Sequence, residues 1–191
     1  MNTVTLTLEP LVQLTDQQFL KLCHANPDAK LERTASGELV VMPPTGGESG
    51  HRNRRLTQQL GNWTDQDGTG ESFDSSTMFR LPNGAFRSPD AAWIPLAKWN
   101  VLTLEERRTF PPLCPDFVIE LRSPSDTLRP LQDKMQEYID NGTRLGWLLN
   151  PQDRQVEIFR QGQQKEVLSS PHQLDGENIL HGFVLKLQRI F

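Results

Sequence analysis

Cys114-Pro115-Asp116-Phe117-Val118-Ile119-Glu120-Leu121-Arg122-Ser123-Pro124-Ser125-Asp126 decides how the rest of the chain is read. Phe117, Ile119 and Leu121 alternate with Asp116, Val118, Glu120 and Arg122. That two-residue period, bounded by Pro115 and Pro124, predicts a strand with one wholly apolar side. The other side carries Glu120 and Arg122 among branched residues. A carboxylate placed there costs several kcal/mol unless a cation or hydrogen-bond donors compensate it.

Two further segments supply charge. Ser88-Pro89-Asp90-Ala91-Ala92-Trp93-Ile94-Pro95 is a second short apolar run between prolines, so Asp90 can face Glu120 across adjacent strands. Two carboxylates that close raise each other's pKa unless a divalent cation lies between them. Downstream, Leu131, Met135 and Tyr138 fall on one helical stripe, and at about 100° per residue Lys134 lies inside it. A lysine on an inward stripe calls for an anionic partner. Spacing alone fits a buried ion pair of Asp90 and Glu120 with Arg122 or Lys134 as well as it fits a catalytic site.

Asp90 followed by Glu120-Leu121-Arg122 resembles the bipartite PD-(D/E)XK signature of restriction-endonuclease-like nucleases. The longer blocks Arg87 to Trp93, Cys114 to Asp126, Lys134 to Ile139 and Asn141 to Pro151 resemble the bacterial putative restriction endonuclease family of that superfamily. The likeness runs from about Gly37 to the Phe183-Val184-Leu185-Lys186-Leu187 segment. It implies an α/β fold, a restriction-endonuclease-like mixed β-sheet core flanked by helices. It also implies a Mg²⁺ or Mn²⁺ site built from Asp90, Glu120 and the backbone carbonyl of Leu121. The third motif position holds Arg122 where the pattern has lysine. Arginine stays protonated at any working pH and cannot act as a base. Lys134 is therefore the expected working lysine, with Arg122 as electrostatic support. The superfamily often places an acid on the helix before the sheet, which makes Glu48 a candidate for the site.

The remaining elements follow in chain order. Thr15-Asp16-Gln17-Gln18 reads as a capping box opening a short helix. Lys30 to Thr34 and Glu38 to Met42 read as a hairpin around Ala35-Ser36-Gly37. Leu56, Leu60 and Trp63 recur at helical spacing within residues 45–65, and Thr45-Gly46-Gly47-Glu48 reads as that helix's capping box, a bland role for Glu48 that competes with metal ligation. Phe73, Ser75, Thr77 and Phe79 alternate as a strand. Leu81-Pro82-Asn83-Gly84 then turns the chain into a strand from Phe86 through Ile94. Residues 98–112 read as a short helix and loop. Asp116 is expected in loop contacts at the strand mouth, and Asp126 as a cap of the next helix. Residues 128–141 are predicted as the helix bearing Lys134, and Leu145 to Leu149 as a parallel crossover strand. Val156 to Phe159 continues from it as a hairpin, and Lys165 to Leu168 and Phe183 to Leu187 are further strands.

With 191 residues the chain is read as a single domain, 1–44 being an N-terminal helix and hairpin appendage and 45–191 the nuclease-like core. There is no apolar run long enough to span a membrane and no basic, apolar leader in residues 1–10, so a cytoplasmic protein is expected. Cys23 and Cys114 lack metal or disulfide spacing and read as free and buried. His24, His51, His172 and His181 show no paired spacing.

The net charge of −4 argues against a protein whose affinity comes from neutralising phosphates, which would carry a basic footprint overall. Arg52, Arg54 and Arg55, and Arg107 and Arg108, read as solvated helix faces. The leading expectation is a metal-dependent endonuclease that hydrolyses phosphodiester bonds, with DNA favoured over other nucleic acids and a homodimer supplying two cuts. The rival is a non-catalytic nucleic-acid- or protein-binding module that retains the fold.

Overall fold

A computed structural model describes residues 3–191. Its elements in chain order are β1 (Val4–Leu6), α1 (Asp16–Ala25), β2 (Lys30–Arg33), β3 (Leu39–Met42), α2 (Gly47–Asp67), β4 (Gly70–Asp74), β5 (Phe79–Arg80), β6 (Phe86–Arg87) and β7 (Ala91–Pro95). There follow α3 (Leu96–Trp99), α4 (Leu104–Arg108), β8 (Phe117–Leu121), α5 (Leu128–Asp140), β9 (Leu145–Asn150), β10 (Gln155–Arg160), β11 (Glu166–Ser169), β12 (Gln173–Asp175) and β13 (Val184–Lys186).

Three sheets result. The largest runs β11-β10-β9-β8-β7-β4 and is mixed: β8 and β9 are parallel while its other neighbours are antiparallel. A second runs β1-β3-β2-β6-β5, and β12 pairs with β13. The mixed α/β class expected from the sequence is the one observed. The parallel β8-α5-β9 crossover is present too, because α5 returns the chain along the sheet face and so allows two strands of the same direction.

β8 is buried at every position. Phe117, Ile119 and Leu121 pack into one core with Leu56 and Leu60 of α2, Trp147, and the C-terminal Phe183 and Leu185. Val118 packs on the opposite face with Met135, Tyr138 and Ile139 of α5. Trp147 meets Phe117 edge-on at 4.8 Å and stacks on Phe183 at 5.9 Å, which ties the C-terminal segment to the central strands.

Two predicted strands are each broken in two, and the breaks matter. The 73–79 run is cut by a turn in which Asp74 Oδ1 accepts the Ser76 N–H at 3.0 Å and its carbonyl accepts the Thr77 N–H at 3.1 Å. β4 therefore belongs to the large sheet and β5 to the other. The 86–94 run is interrupted at Ser88-Pro89-Asp90, where proline has no N–H to give a ladder. β6 stays in the five-stranded sheet and β7 crosses into the six-stranded one, so Asp90 stands where the two sheets meet. The expected hairpin over residues 30–42 forms as β2 and β3 and joins β6 through the Arg33–Phe86 pair.

Some local expectations are corrected. The capping box at Thr15 and Gln18 forms, but Thr45 does not cap α2, whose N-cap is Gly46 without a side-chain bond. Asp126 does not cap α5 either; its Oδ2 accepts the Ser123 N–H at 2.9 Å across the preceding turn, and Thr127 is the N-cap residue. Cys114 is buried and Cys23 half-buried, both as free thiols. Strands β1 and β12 are too short and too exposed to leave a clear alternation in the sequence. Among the described residues no helix is long and apolar enough to cross a membrane.

Candidate active site

The site is built from four elements. β7 pairs with β8 through Ala91 and Ile119. Continuing that register by one residue sets Asp90 opposite Glu120, with both side chains on the same face of the sheet. α5 crosses that face, and its apolar stripe of Met135, Tyr138 and Ile139 is buried against it. Lys134 rides in with the stripe. Its Nζ lies 2.8 Å from Glu120 Oε1 and 2.9 Å from Glu32 Oε1, and donates to the Ser88 carbonyl at 3.3 Å.

Each acid is held in place. Glu32, on β2, is only 2% exposed; its Oε1 also accepts the Ser88 N–H at 2.8 Å, and its Oε2 lies 3.1 Å from Arg87 Nη1. Arg87 in turn lies 2.6 Å from Glu137 of α5 through its Nε. Tyr138 donates its hydroxyl to Glu120 Oε1 at 3.1 Å. Asp90 accepts the Leu121 backbone N–H at 2.8 Å and the Asn53 side-chain amide of α2 at 2.9 Å. The β2–β6 register, extended from Arg33 and Phe86, also brings Lys30 alongside Pro89-Asp90.

The charges do not cancel. Glu32, Glu120 and Glu137 share two close cations, Arg87 and Lys134, whereas Asp90 forms no ion pair and feels the charge of Lys30 first. Burial pushes Glu120 up to about 7; the Lys134 ammonium opposes this, while Asp90 and Glu32 add to it. Burial likewise raises Asp90, against the Lys30 charge and the Leu121 N–H. Burial would lower Lys134, but the adjacent Glu120 and Glu32 charges win and hold it above its ordinary value. For Glu32, burial would raise the carboxyl, and the Lys134 and Arg87 charges overcome that and keep it below its ordinary range. Glu120 and Lys134 thus respond differently within one pair: the lysine has two carboxylates to itself, whereas Glu120 shares one ammonium with Glu32. Burial and the neighbouring negative charges also hold the Tyr138 hydroxyl well above its ordinary value, so it remains a donor.

A pH dependence follows. Glu120 has a folded-state pKa above its ordinary 4.5, so the folded protein binds the extra proton. The metal-free protein should lose stability as pH rises from 4.5 toward about 7, and Glu120→Gln should flatten that loss. Urea midpoints of the two proteins across this range measure it; parallel curves would contradict the assignment.

The expected site residues divide cleanly. Asp90, Glu120 and Lys134 converge. Leu121 lies at the site, where its N–H holds Asp90. Glu48 does not enter it: its side chain is 77% exposed on the first turn of α2 and lies 3.6 Å from Arg52. Arg122 is also turned away. β8 ends at Leu121, and Arg122 in the following loop donates to Asn150 Oδ1 at 3.2 Å and lies 3.1 Å from Asp153 Oδ2. Asp116 is buried at the mouth of β8, 2.6 Å from Lys98.

Glu32, Asn53 and the Tyr138 hydroxyl also belong to the site, beyond the residues expected there. Tyr138 was visible as a polar-tipped member of the inward stripe. Glu32 carried no local signal, because its partners lie 55 and 102 residues away.

As a fit for a hard cation, Asp90 and Glu120 offer carboxylate oxygens from facing positions on one sheet face. Oxygen donors of that kind suit Mg²⁺ or Mn²⁺, which keep several waters. Among the described residues, no group of three His, Cys, Asp or Glu side chains converges as a metal-ligand set, so water and backbone would complete the shell.

Residues 16–188 match the Uma2 family, described as "Putative restriction endonuclease". No functionally curated protein matches the chain. Among solved structures, a putative nuclease belonging to DUF820 from Anabaena variabilis ATCC 29413 superposes with a TM-score of 0.78 at 19% identity, over 93% of this chain and 97% of the other. At that identity the likeness is one of fold.

Proposed function

Because the chain belongs to the Uma2 family over residues 16–188, we propose that it is a metal-dependent endonuclease hydrolysing phosphodiester bonds in nucleic acid, with DNA the favoured substrate. The observation that carries the reading is Lys134 Nζ lying 2.8 Å from Glu120, with Asp90 on the neighbouring strand. Asp90, Glu120 and the Leu121 carbonyl would hold a Mg²⁺ or Mn²⁺ ion. When bound, the ion supplies Lewis acidity toward a phosphate oxygen and lowers the pKa of bound water.

The protein's own groups do the rest. Lys134 stays an ammonium, since two carboxylates raise its pKa. It therefore serves as an electrostatic stabiliser of the charge that builds on the phosphate rather than as a base. Glu32 aims that ammonium, and Tyr138 orients Glu120. Lys134 thus fills the place that Arg122 leaves open in the motif. Two such sites in a homodimer would cut both strands of a duplex.

The test is incubation of wild-type protein with supercoiled plasmid, duplex oligonucleotide and RNA in Mn²⁺, Mg²⁺ or EDTA. Nicking or linearisation of the plasmid in metal alone is the expected result. Intact substrates in every wild-type sample would favour the binding module that retains the fold without chemistry.

A further inference from the structure

α2 carries its acids at its ends, Glu48, Asp65 and Asp67, and its cations, Arg52, Arg54 and Arg55, between them. Arg52 has Glu48 at 3.6 Å. Arg54 and Arg55 have no acid partner among the described residues. Both instead turn to the Gln58 side-chain oxygen, at 3.3 and 3.5 Å, and Arg55 Nε is buried without any acceptor.

The C-terminal segment brings more positive charge to the same helix. Gln59, one turn beyond Arg55, accepts the Lys186 backbone N–H at 2.8 Å and donates to its carbonyl at 3.1 Å. Arg189 follows in the turn after β13. Lys186 and Arg189 are exposed and also have no acid partner among the described residues. Partial burial, together with the charges of Arg54 and Arg189, pushes the Arg55 guanidinium below its ordinary range. By contrast Arg33, Arg80, Arg87, Arg122 and Arg160 each hold a carboxylate.

In an acidic chain with a net charge of −4, gathering unpaired guanidinium groups costs free energy unless an anion neutralises them. The same helix reaches the site from its inner face, where Asn53 donates to Asp90 at 2.9 Å, while Arg54 and Arg55 point about 100° and 200° away from Asn53 around the helix. We propose that Arg54, Arg55, Lys186 and Arg189 form a phosphate-backbone track that seats a nucleic-acid duplex on the outer flank of α2, the helix whose inner face holds Asp90 through Asn53. Backbone phosphates suit guanidinium groups from α2 together with a lysine and an arginine from the C-terminal segment bonded to it through Gln59. Such contacts position a duplex without reading its sequence. The assignment rests on the nuclease reading for its substrate class, but it concerns binding alone.

The experiment is fluorescence anisotropy of a labelled duplex in EDTA, where cutting is suppressed, over a series of salt concentrations. Wild type should bind with a steep salt dependence. The Arg54→Gln/Arg55→Gln/Arg189→Gln variant should bind about tenfold or more weakly at low salt, with a log–log slope shallower by about 3, roughly 0.9 for each phosphate that is no longer neutralised. Its urea midpoint should equal or exceed that of wild type, because no ion pair is broken. Equal binding and slope for the triple variant would overturn the track, as would a preference of wild type for anionic vesicles over duplex. A wild-type protein that binds duplex through these arginines yet cuts nothing in Mn²⁺ would retire the nuclease reading and support the track.

Discussion

Glu120→Gln is expected to reduce plasmid cleavage in Mg²⁺ by about a thousandfold or more, the scale seen when a group that acts on transition-state charge is removed. The substitution keeps the side chain's volume and its Tyr138 neighbour but removes one of the two facing carboxylates. Glu120 is 4% exposed and sits between Lys134 and Tyr138, so glutamine can fill the space while the charge disappears. Stability should change little below pH 4.5, where the wild-type carboxyl is already protonated. Asp90→Asn should behave alike, since Asn53 and Leu121 N–H already position that side chain. Single-turnover rates at saturating protein measure the loss. Full cleavage by the Gln variant would remove Glu120 from the chemistry.

Lys134→Met should lower folding stability by about 3–5 kcal/mol at neutral pH, as expected when one partner of a buried ion pair is removed. Methionine keeps the stem that packs on α5's inward stripe, so packing is not the main loss. What disappears is the ammonium shared by Glu32 and Glu120, each under 5% exposed. The second substitution Glu32→Gln should return part of that loss, because one stranded carboxylate is removed with the cation. Urea denaturation of the two single variants and the double variant gives the coupling directly. Additive losses would mean that Glu32 and Lys134 do not act through each other, against their 2.9 Å separation.

How much of this was legible in the sequence depends on how far apart the partners lie. β8 could be read because its alternation is local and its prolines mark both ends. The placement of Lys134 followed from helical period, and the parallel crossover from the strand, helix and strand order around it. Asp90 was identified, but not its setting: Pro89 splits what looked like one strand, and that split puts the acid at the junction of two sheets. Glu32 could not be read at all, since a glutamate in a hairpin looks solvated until Ser88, Arg87 and Lys134 arrive from elsewhere in the chain. Arg122 misled for the opposite reason. The motif put it beside Glu120, but β8 ends one residue earlier and Asp153 and Asn150 draw the guanidinium away. Glu48 does sit in the first turn of α2, but exposed beside Arg52 and without the capping-box bond, a placement that the sequence pattern could not distinguish from an inward one.

Anomalous diffraction from crystals soaked in Mn²⁺ tests the central claim most directly. A single strong peak between the Asp90 and Glu120 carboxylates, within bonding reach of the Leu121 carbonyl and absent in Glu120→Gln crystals, is the predicted result. No peak there, or one held only by surface acids such as Glu48 and Asp153, would contradict the account.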